Sequence, residues 1–342
     1  MNLPLISVVI INWNGLRFLD GCLSSLFKQS YRSFEIIMVD NGSTDGSVQF
    51  IKNKYPHVMV LENQSNTGFA VANNQGIQAA KGKYVALLNN DTMADKDWLG
   101  NLAKKADSSS KDVGMWACKI LSLYDPAIID SVGGLVISRC GIGKGRGRNE
   151  KDASQYDREE EVFIPSACSA MYRKEMLNEI GVFDEEFFAY CEDTDLGFRA
   201  RLSGWKTISV PDAIVYHYYS GTTGKHSPIK AYLVERNHIW VALKNFPLSM
   251  LLFFPLNTLW RYLVQAYAIL AKKGAGGRYV ESFSKTSLLK IVLKAYWSAI
   301  KGLPSMLKKR HSIQSRKTVS NKDIYRWFKD YGLKISDIVF QE

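Results

Sequence analysis

The chain has 342 residues, 46% of them hydrophobic and 23% charged, with 44 Lys and Arg against 33 Asp and Glu for a formal net charge of +11. That length holds one catalytic domain of about 240 residues and a smaller helical region. Five cysteines (Cys22, Cys118, Cys140, Cys168 and Cys191), odd in number and without a Cys-x-x-Cys pair, argue against a disulfide framework and for free thiols in a reducing compartment. The N-terminal apolar run lacks a basic leader and a cleavage site, so no secretory signal is expected.

Leu5 to Ile11 is a short β-branched run broken by Asn12-Trp13-Asn14-Gly15, and from Arg17 to Phe27 apolar residues fall at 18, 19, 22, 23 and 26. That is strand, turn, helix. A second strand, Phe34 to Val39, ends in Asp40-Asn41-Gly42-Ser43-Thr44-Asp45-Gly46, and a helix follows from Ser47. The alternation predicts βαβ units and a parallel sheet, whose ligands bind at the carboxyl ends of the strands. The first turn contains one glycine, Gly15, where a nicotinamide site needs Gly-x-Gly-x-x-Gly, which argues against a dehydrogenase. Next come an amide-rich helix start, Asn66 to Gly76, and the strand Tyr84 to Leu88 running into Asn89-Asn90-Asp91-Thr92. An acid there is commonly a turn former; it is also where a divalent ion is held against a diphosphate.

The glycine run Gly141 to Gly147 lies among polar and charged residues rather than in a strand-to-helix turn, and predicts a mobile loop. Gly224-Lys225 is followed by His226, so the Ser or Thr of a phosphate-binding P-loop is absent. Between them stands the most informative segment, Phe187-Phe188-Ala189-Tyr190-Cys191-Glu192-Asp193-Thr194-Asp195-Leu196. Acids at a helix start stabilise its positive end by roughly 0.3–1 kcal/mol each. Asp195 has Arg199 four residues on and predicts a helix ion pair. Asp193 has Gly197 at the same spacing, which leaves its carboxylate to accept a proton from a substrate; on residues alone, capping and catalysis stand even. The strand-like run that follows ends in His217, and a lone histidine at a strand end is more often structural than a ligand.

In order, these segments resemble glycosyltransferase family 2, the inverting nucleotide-sugar enzymes of the GT-A fold, and within it the bacterial rhamnosyltransferases of cell-surface polysaccharide assembly. The resemblance rests on Val9 to Asn14, Val39 to Asp45, Asn66 to Gly76, Leu87 to Thr92, Gly181-Val182-Phe183-Asp184-Glu185, Glu192 to Asp195 and Val215-Tyr216-His217, with further support from Tyr232 and Arg236-Asn237. It implies an α/β fold: a Rossmann-like nucleotide-binding domain with a mixed central sheet over residues 1–245, then an α-helical region over 246–342. Asp40 would bond the nucleotide base, with Asn12, Asn66, Gly68, Asn73 and Asn90 in the same pocket. Asp91 matches the last acid of the family's Asp-x-Asp motif, His217 the histidine that completes a site for Mn2+ or Mg2+, and Asp193 the base that deprotonates the acceptor. Tyr190, Glu192 and Trp205 fall on the acceptor side. One departure is Asn89, where the motif has its first Asp, which implies a weaker metal site or an ion that arrives with the nucleotide. The favoured donor is dTDP-L-rhamnose; UDP-hexoses compete, because Asp40 can bond the imide edge that both bases share.

The basic excess is entirely C-terminal: residues 228–342 carry +14 and residues 1–227 carry −3. Such asymmetry predicts an anionic partner, and no nucleic-acid module accompanies it. Asn245 to Trp260 is uncharged but only 16 residues long and interrupted by Pro247 and Pro255, short of the roughly 20 that a spanning helix needs. Asn257, Arg261 and Gln265 recur every four residues, as in a helix lying in a membrane interface, and Ser287 to Leu307 repeats the theme with Lys290, Lys294 and Lys301 beside Leu289, Leu293 and Trp297. With Lys272, Lys273, Lys308 and Lys309, these predict peripheral association with the cytoplasmic face of an anionic membrane, where a lipid-linked glycan would be the acceptor. The alternative is ordinary core packing or a homo-oligomer interface. Two other classes are weaker: a nucleotidyltransferase needs a Gly-rich basic first loop, and a non-catalytic scaffold would not be expected to retain Asp91, Asp193 and His217.

Overall fold

The computed structural model describes residues 5–218, 227–271 and 285–340; Gly224-Lys225-His226, Lys272 and Lys273 lie outside them. The chain forms two compact units, one of Met1–Leu135, Gly145–Ala189 and Trp205–Thr222, the other of Val136–Lys144, Tyr190–Gly204 and Thr223–Glu342.

In the first unit the alternation read from the sequence becomes β1 (Ile6–Asn12), α1 (Leu16–Phe27), β2 (Phe34–Asp40), α2 (Ser47–Lys54), β3 (Met59–Glu62), α3 (Phe69–Ala79), β4 (Tyr84–Asn89), β5 (Thr92–Ala94), α4 (Trp98–Ser108), β6 (Val113–Ser122) and β7 (Ile129–Val132). After β7 come β8 (Leu135–Ile137) and β9 (Gly143–Gly145), a ribbon that belongs mostly to the second unit; the first unit continues with β10 (Glu161–Val162), β11 (Ser169–Arg173), α5 (Lys174–Ile180) and β12 (Lys206–His217). The main sheet has the order β10-β12-β6-β11-β4-β1-β2-β3. It is mixed: β4, β1, β2 and β3 are parallel, and β11 runs antiparallel between β4 and β6. Ile6, Val8 and Ile10 face Leu19, Leu23 and Leu26 of α1 and Trp98 and Leu102 of α4, all buried, while Val9 and Val39 back onto α3. Fully burying such a side chain contributes about 1.5–3 kcal/mol, so the sheet's position is set by its two apolar faces, and its polar strand ends are left to form a site.

The glycine run is ordered, contrary to the loop expected from its composition. β9 lies within it, and beyond it Arg146 N–H donates to Gly134 O (2.9 Å) and Val132 N–H to Arg146 O (3.0 Å). The backbone of this segment is held as an extra strand-like edge along β7, a tertiary pairing that local composition does not report.

The second unit is helical: α6 (Glu192–Leu202), α7 (Pro228–Asn245), α8 (Leu248–Leu270), α9 (Lys285–Lys301), α10 (Leu303–Ser315), α11 (Asn321–Asp330) and α12 (Ile335–Phe340). Phe198, Phe246 and Phe328 cluster in it in tilted and edge-on contacts, with ring centroids 5.0–6.1 Å apart. The basic run expected as one helix over 287–307 is two, divided at Gly302 with Pro304 in the first turn of α10. Pro255 does not end α8, although an interior proline costs about 3 kcal/mol, because Met250, Thr258, Arg261 and Ala268 anchor its inner face. The polar stripe of α8 is inverted relative to expectation. Arg261 is 1% exposed and doubly bonded to Glu235 (both 2.7 Å), while Leu252, Phe253, Leu256, Trp260, Leu263 and Tyr267 are more than half exposed. Among the described residues, no helix is long and apolar enough to cross a membrane.

Candidate active site

The strand ends of the first unit bring together three of the residues singled out for nucleotide binding. Parallel register sets Asn12 beside Asp40, and Asn12 Nδ2–H donates to Asp40 Oδ2 (2.9 Å) and Ser43 Oγ (3.1 Å). Asn90 Nδ2–H donates to Asn12 Oδ1 (2.7 Å), and Asp40 Oδ1 accepts from Ser43 N–H (2.8 Å). Each Asp40 oxygen keeps a lone pair for a further donor. Gly15 closes over this floor: a Cβ there would lie 2.1 Å from Asn90 Nδ2 and 2.5 Å from Asn12 Oδ1, which explains a glycine in this turn without any dinucleotide motif.

Asn66 and Gly68 shape the approach to α3. Asn66 Oδ1 accepts from Gly68 N–H (2.9 Å) and from Asn41 Nδ2–H (3.0 Å). Asn41, which the sequence reading passed over, also accepts from Thr67 N–H (3.0 Å) and Oγ1–H (2.9 Å). Asn73 is turned back on its own helix, donating to Phe69 O (2.8 Å). Asn74, also passed over, clamps Phe183 through both its N–H and C=O (3.0 and 2.9 Å), which accounts for the Gly181 to Glu185 segment. Phe188 O accepts from Ala70 N–H (3.1 Å).

Asp91 follows β4 and His217 ends β12; the antiparallel pairing of β12 with β5 sets His217 opposite Thr92. Their side chains meet, with His217 Nε2 3.3 Å from Asp91 Oδ1. The other ring nitrogen, Nδ1, is 2.6 Å from Asp130 Oδ2, and Arg148 holds Asp130 Oδ1 at 2.9 Å. Burial disfavours a charged ring, yet Cys168 and the carboxylates of Asp130 and Asp91 hold the His217 pKa well above the ordinary histidine range. Burial pushes the Cys168 thiol up as well. Asp130 and Arg148 escaped the sequence reading because no spacing connects them to His217; Asp130 precedes it by 87 residues. Among the described residues, no three His, Cys, Asp or Glu converge to hold an ion by themselves. An imidazole nitrogen beside one carboxylate suits a divalent cation whose remaining ligands are oxygens of a diphosphate and water.

The acidic segment lies in the second unit. Tyr190 and Cys191 both have positive φ, 68° and 66°, a sparsely populated conformation that clusters at functional sites. Asn237 Nδ2–H holds Tyr190 O (2.7 Å), and Lys230 lies over the Tyr190 ring at 5.5 Å. The three acids that follow are sorted by depth. Asp195 is fully buried, and its ion pair with Arg199 (2.9 Å) is part of a network with Lys244 (2.8 Å) and Asn245 (3.0 Å). Burial opposes its charge, but Lys244 and Arg199 hold its pKa well below the usual carboxylate range. Glu192 is 5% exposed and its Oε2 has no hydrogen-bond partner; burial, then the neighbouring Asp193, pushes its carboxyl well above that range. Asp193 is half-buried. Its Oδ1 accepts from Thr194 N–H (2.7 Å). Trp205 directly precedes β12 in the first unit, and its indole donates to Glu179 (3.2 Å).

A Rossmann-like mixed sheet with asparagine and aspartate side chains gathered at its strand ends defines an α/β protein of the kind that binds ligands at the carboxyl ends of its strands. The chain belongs to glycosyl transferase family 2, whose family model matches residues 7–181. It is 28% identical over 262 residues to the N-acetylglucosaminyl-diphospho-decaprenol L-rhamnosyltransferase of Mycobacterium tuberculosis, covering 68% of this chain and 85% of that protein. It is 34% identical over 112 residues to the glycosyltransferase GlyG of Streptococcus pneumoniae, covering 32% of this chain and 37% of that one. A Pyrobaculum calidifontis mannosyltransferase solved with GDP-Man and Mn2+ has the same fold, at a TM-score of 0.54 and 16% identity over 93% of this chain and 87% of that one. So does Staphylococcus aureus TarS 1-349 solved with UDP-GlcNAc, at 0.55 and 19% over 95% and 91%. The fold is therefore that of the GT-A glycosyltransferases, with a helical C-terminal part.

Proposed function

We propose that this glycosyltransferase transfers L-rhamnose from dTDP-rhamnose, with inversion, to a hydroxyl of a lipid-linked glycan. The observation that carries the transfer chemistry is the meeting of Asp91 with His217 at the strand ends that also gather Asn12, Asp40 and Asn90. The rhamnosyl group is supported by the mycobacterial relative, and the dTDP carrier by the resemblance to bacterial rhamnosyltransferases. Asp40 and Asn12 would take the base of the nucleotide, and Asn66 and Gly68 would border it. Asp91 and the Nε2 of His217 would hold Mn2+ or Mg2+, which when bound neutralises the diphosphate leaving group. Asp193 would take the acceptor's proton, since among the three acids Asp195 is committed to Lys244 and Arg199 and Glu192 is held towards its neutral form. A single base gives one displacement, hence inversion. Glu192 and Tyr190 remain acceptor-side candidates.

Residues 1–245 would carry catalysis and residues 246–342 would meet the inner face of the cell membrane, where the lipid-linked acceptor resides. The exposed apolar face of α8, the exposed Leu289, Leu293 and Trp297 of α9 and the +14 charge of the C-terminal third support that reading; a subunit interface is the competing use of the same face. The test is a donor screen by nucleotide release, with and without Mn2+ or Mg2+, beside calorimetric titration of the two nucleoside diphosphates. Clear preference for the uridine nucleotide replaces rhamnose with a UDP-hexose, and no release from any donor refutes transfer.

A further inference from the structure

β7 and β6 pair antiparallel as Lys119 with Val132 and Ile120 with Ser131, and then, after a shift, as Leu121 with Ile129. The residue skipped on β7 is Asp130. A bulge of this kind kinks the strand and re-aims the side chain of the extra residue. Here the carboxylate meets His217, with Oδ2 2.6 Å from Nδ1. The glycine run supplies the other half of the arrangement. A Cβ on Gly145 would lie 2.7 Å from Asp130 O, so glycine is what lets this segment lie against the bulge. Asn149 N–H then bonds Ile129 O (2.8 Å), and Arg148, one residue earlier, reaches Asp130 Oδ1 at 2.9 Å. An ionised carboxylate only accepts hydrogen bonds. The proton between Asp130 and the ring therefore sits on Nδ1, and Nε2 is turned to Asp91.

We propose that Asp130, backed by Arg148, is a positioning residue that fixes the His217 ring so that Nε2 is presented, together with Asp91, to the divalent cation. This rests on the reading of His217 as a ligand given above. A carboxylate behind a metal-bound histidine sets the ring's orientation and tautomer, and its loss typically weakens metal affinity about 10–100-fold. A merely structural Asp130 would tie β7 to Arg148 and leave the ring's presentation unchanged.

Two measurements on the full chain separate these roles. One is Mn2+ affinity by electron paramagnetic resonance, in the presence of thymidine or uridine diphosphate, whichever the donor screen selects. The other, without metal, is the solvent-protected ring N–H resonance of His217 by NMR. Asp130→Ala is expected to weaken Mn2+ by about 10–100-fold and to abolish the protected resonance. Asp130→Asn, which keeps an acceptor, should retain the resonance and recover part of the affinity. If Asp130→Ala does not fold, Arg148→Gln carries the test, with a smaller loss of affinity and a shifted resonance. A folded variant with wild-type Mn2+ affinity and a wild-type resonance overturns the proposal. If Asp130→Ala loses the resonance while both it and Asp91→Ala keep Mn2+ affinity, the ring positioning stands and the ligand reading of His217 falls.

Discussion

Asp195→Asn and Asp193→Asn, two like substitutions two residues apart, should fail in different ways. Asp195 is 0% and Lys244 1% exposed, and their separation of 2.8 Å corresponds to about 6 kcal/mol of attraction at an effective dielectric of about 20. Arg199 at 2.9 Å adds a similar amount. Desolvation offsets much of this, but removing one member of a buried network leaves the others uncompensated, at about 3–5 kcal/mol. With roughly 2–4 °C lost per kcal/mol for a domain of this size, Asp195→Asn should lower Tm by roughly 6–20 °C. Adding Lys244→Met should recover part of the loss. Asp193→Asn, half-buried, should leave Tm nearly unchanged and cut turnover by roughly 10²–10⁴. The assay is scanning calorimetry alongside nucleotide release, repeated across pH. Because the folded pKa of Asp195 is depressed, its contribution is complete above the unfolded value near 4 and disappears as pH falls through the folded one. Wild type should therefore lose stability more steeply than Asp195→Asn below about pH 5. Wild-type Tm with lost turnover in Asp195→Asn would refute this division of roles, as would near-normal turnover in Asp193→Asn.

Three further outcomes are expected. Excess chelator should abolish transfer and Mn2+ or Mg2+ restore it, and Asp91→Ala should reduce Mn2+-dependent nucleotide affinity by more than about tenfold, given that outer-shell changes alone cost about 10–100-fold; full activity in chelator would contradict this. Glu192 has a raised folded pKa, so stability is lost as pH climbs above its unfolded value near 4.3; Glu192→Gln should match wild type at pH 4 and have the higher Tm at pH 7, and parallel pH profiles would reject the buried neutral acid. Full-length protein should float with anionic vesicles at low salt, at about 1 kcal/mol for each basic residue near the surface, and high salt should release it only in part; the triple variant Leu252→Gln, Leu256→Gln, Trp260→Gln should float poorly, and unchanged flotation would turn attention to a subunit interface.

The C-terminal region shows most clearly where periodicity misleads. The four-residue recurrence of Asn257, Arg261 and Gln265 marks one helix face correctly, but it cannot tell whether that face meets water or Glu235. The bidentate pair to Glu235 turned Arg261 inward and left the leucines outside. Pro255 likewise reads as a break, and the packing of α8 overrides it.

What the sequence by itself determined is local: the βαβ alternation of the first ninety residues, the polar strand ends at Asn12, Asp40 and Asp91, the helix start at Glu192 and the strand end at His217. Each follows from side-chain period and turn chemistry acting over a few residues. Only the tertiary structure separated the charge states of the three acids. The spacing to Arg199 marks Asp195 as paired, but Lys244, about fifty residues later, packs against it as well, and burial without a partner holds Glu192 towards its neutral form. Asp130 meets His217 for the same kind of reason. A one-residue bulge and a glycine edge far along the chain aim it there, and burial and long-range register are properties of the packed sheet that short-range pattern does not encode.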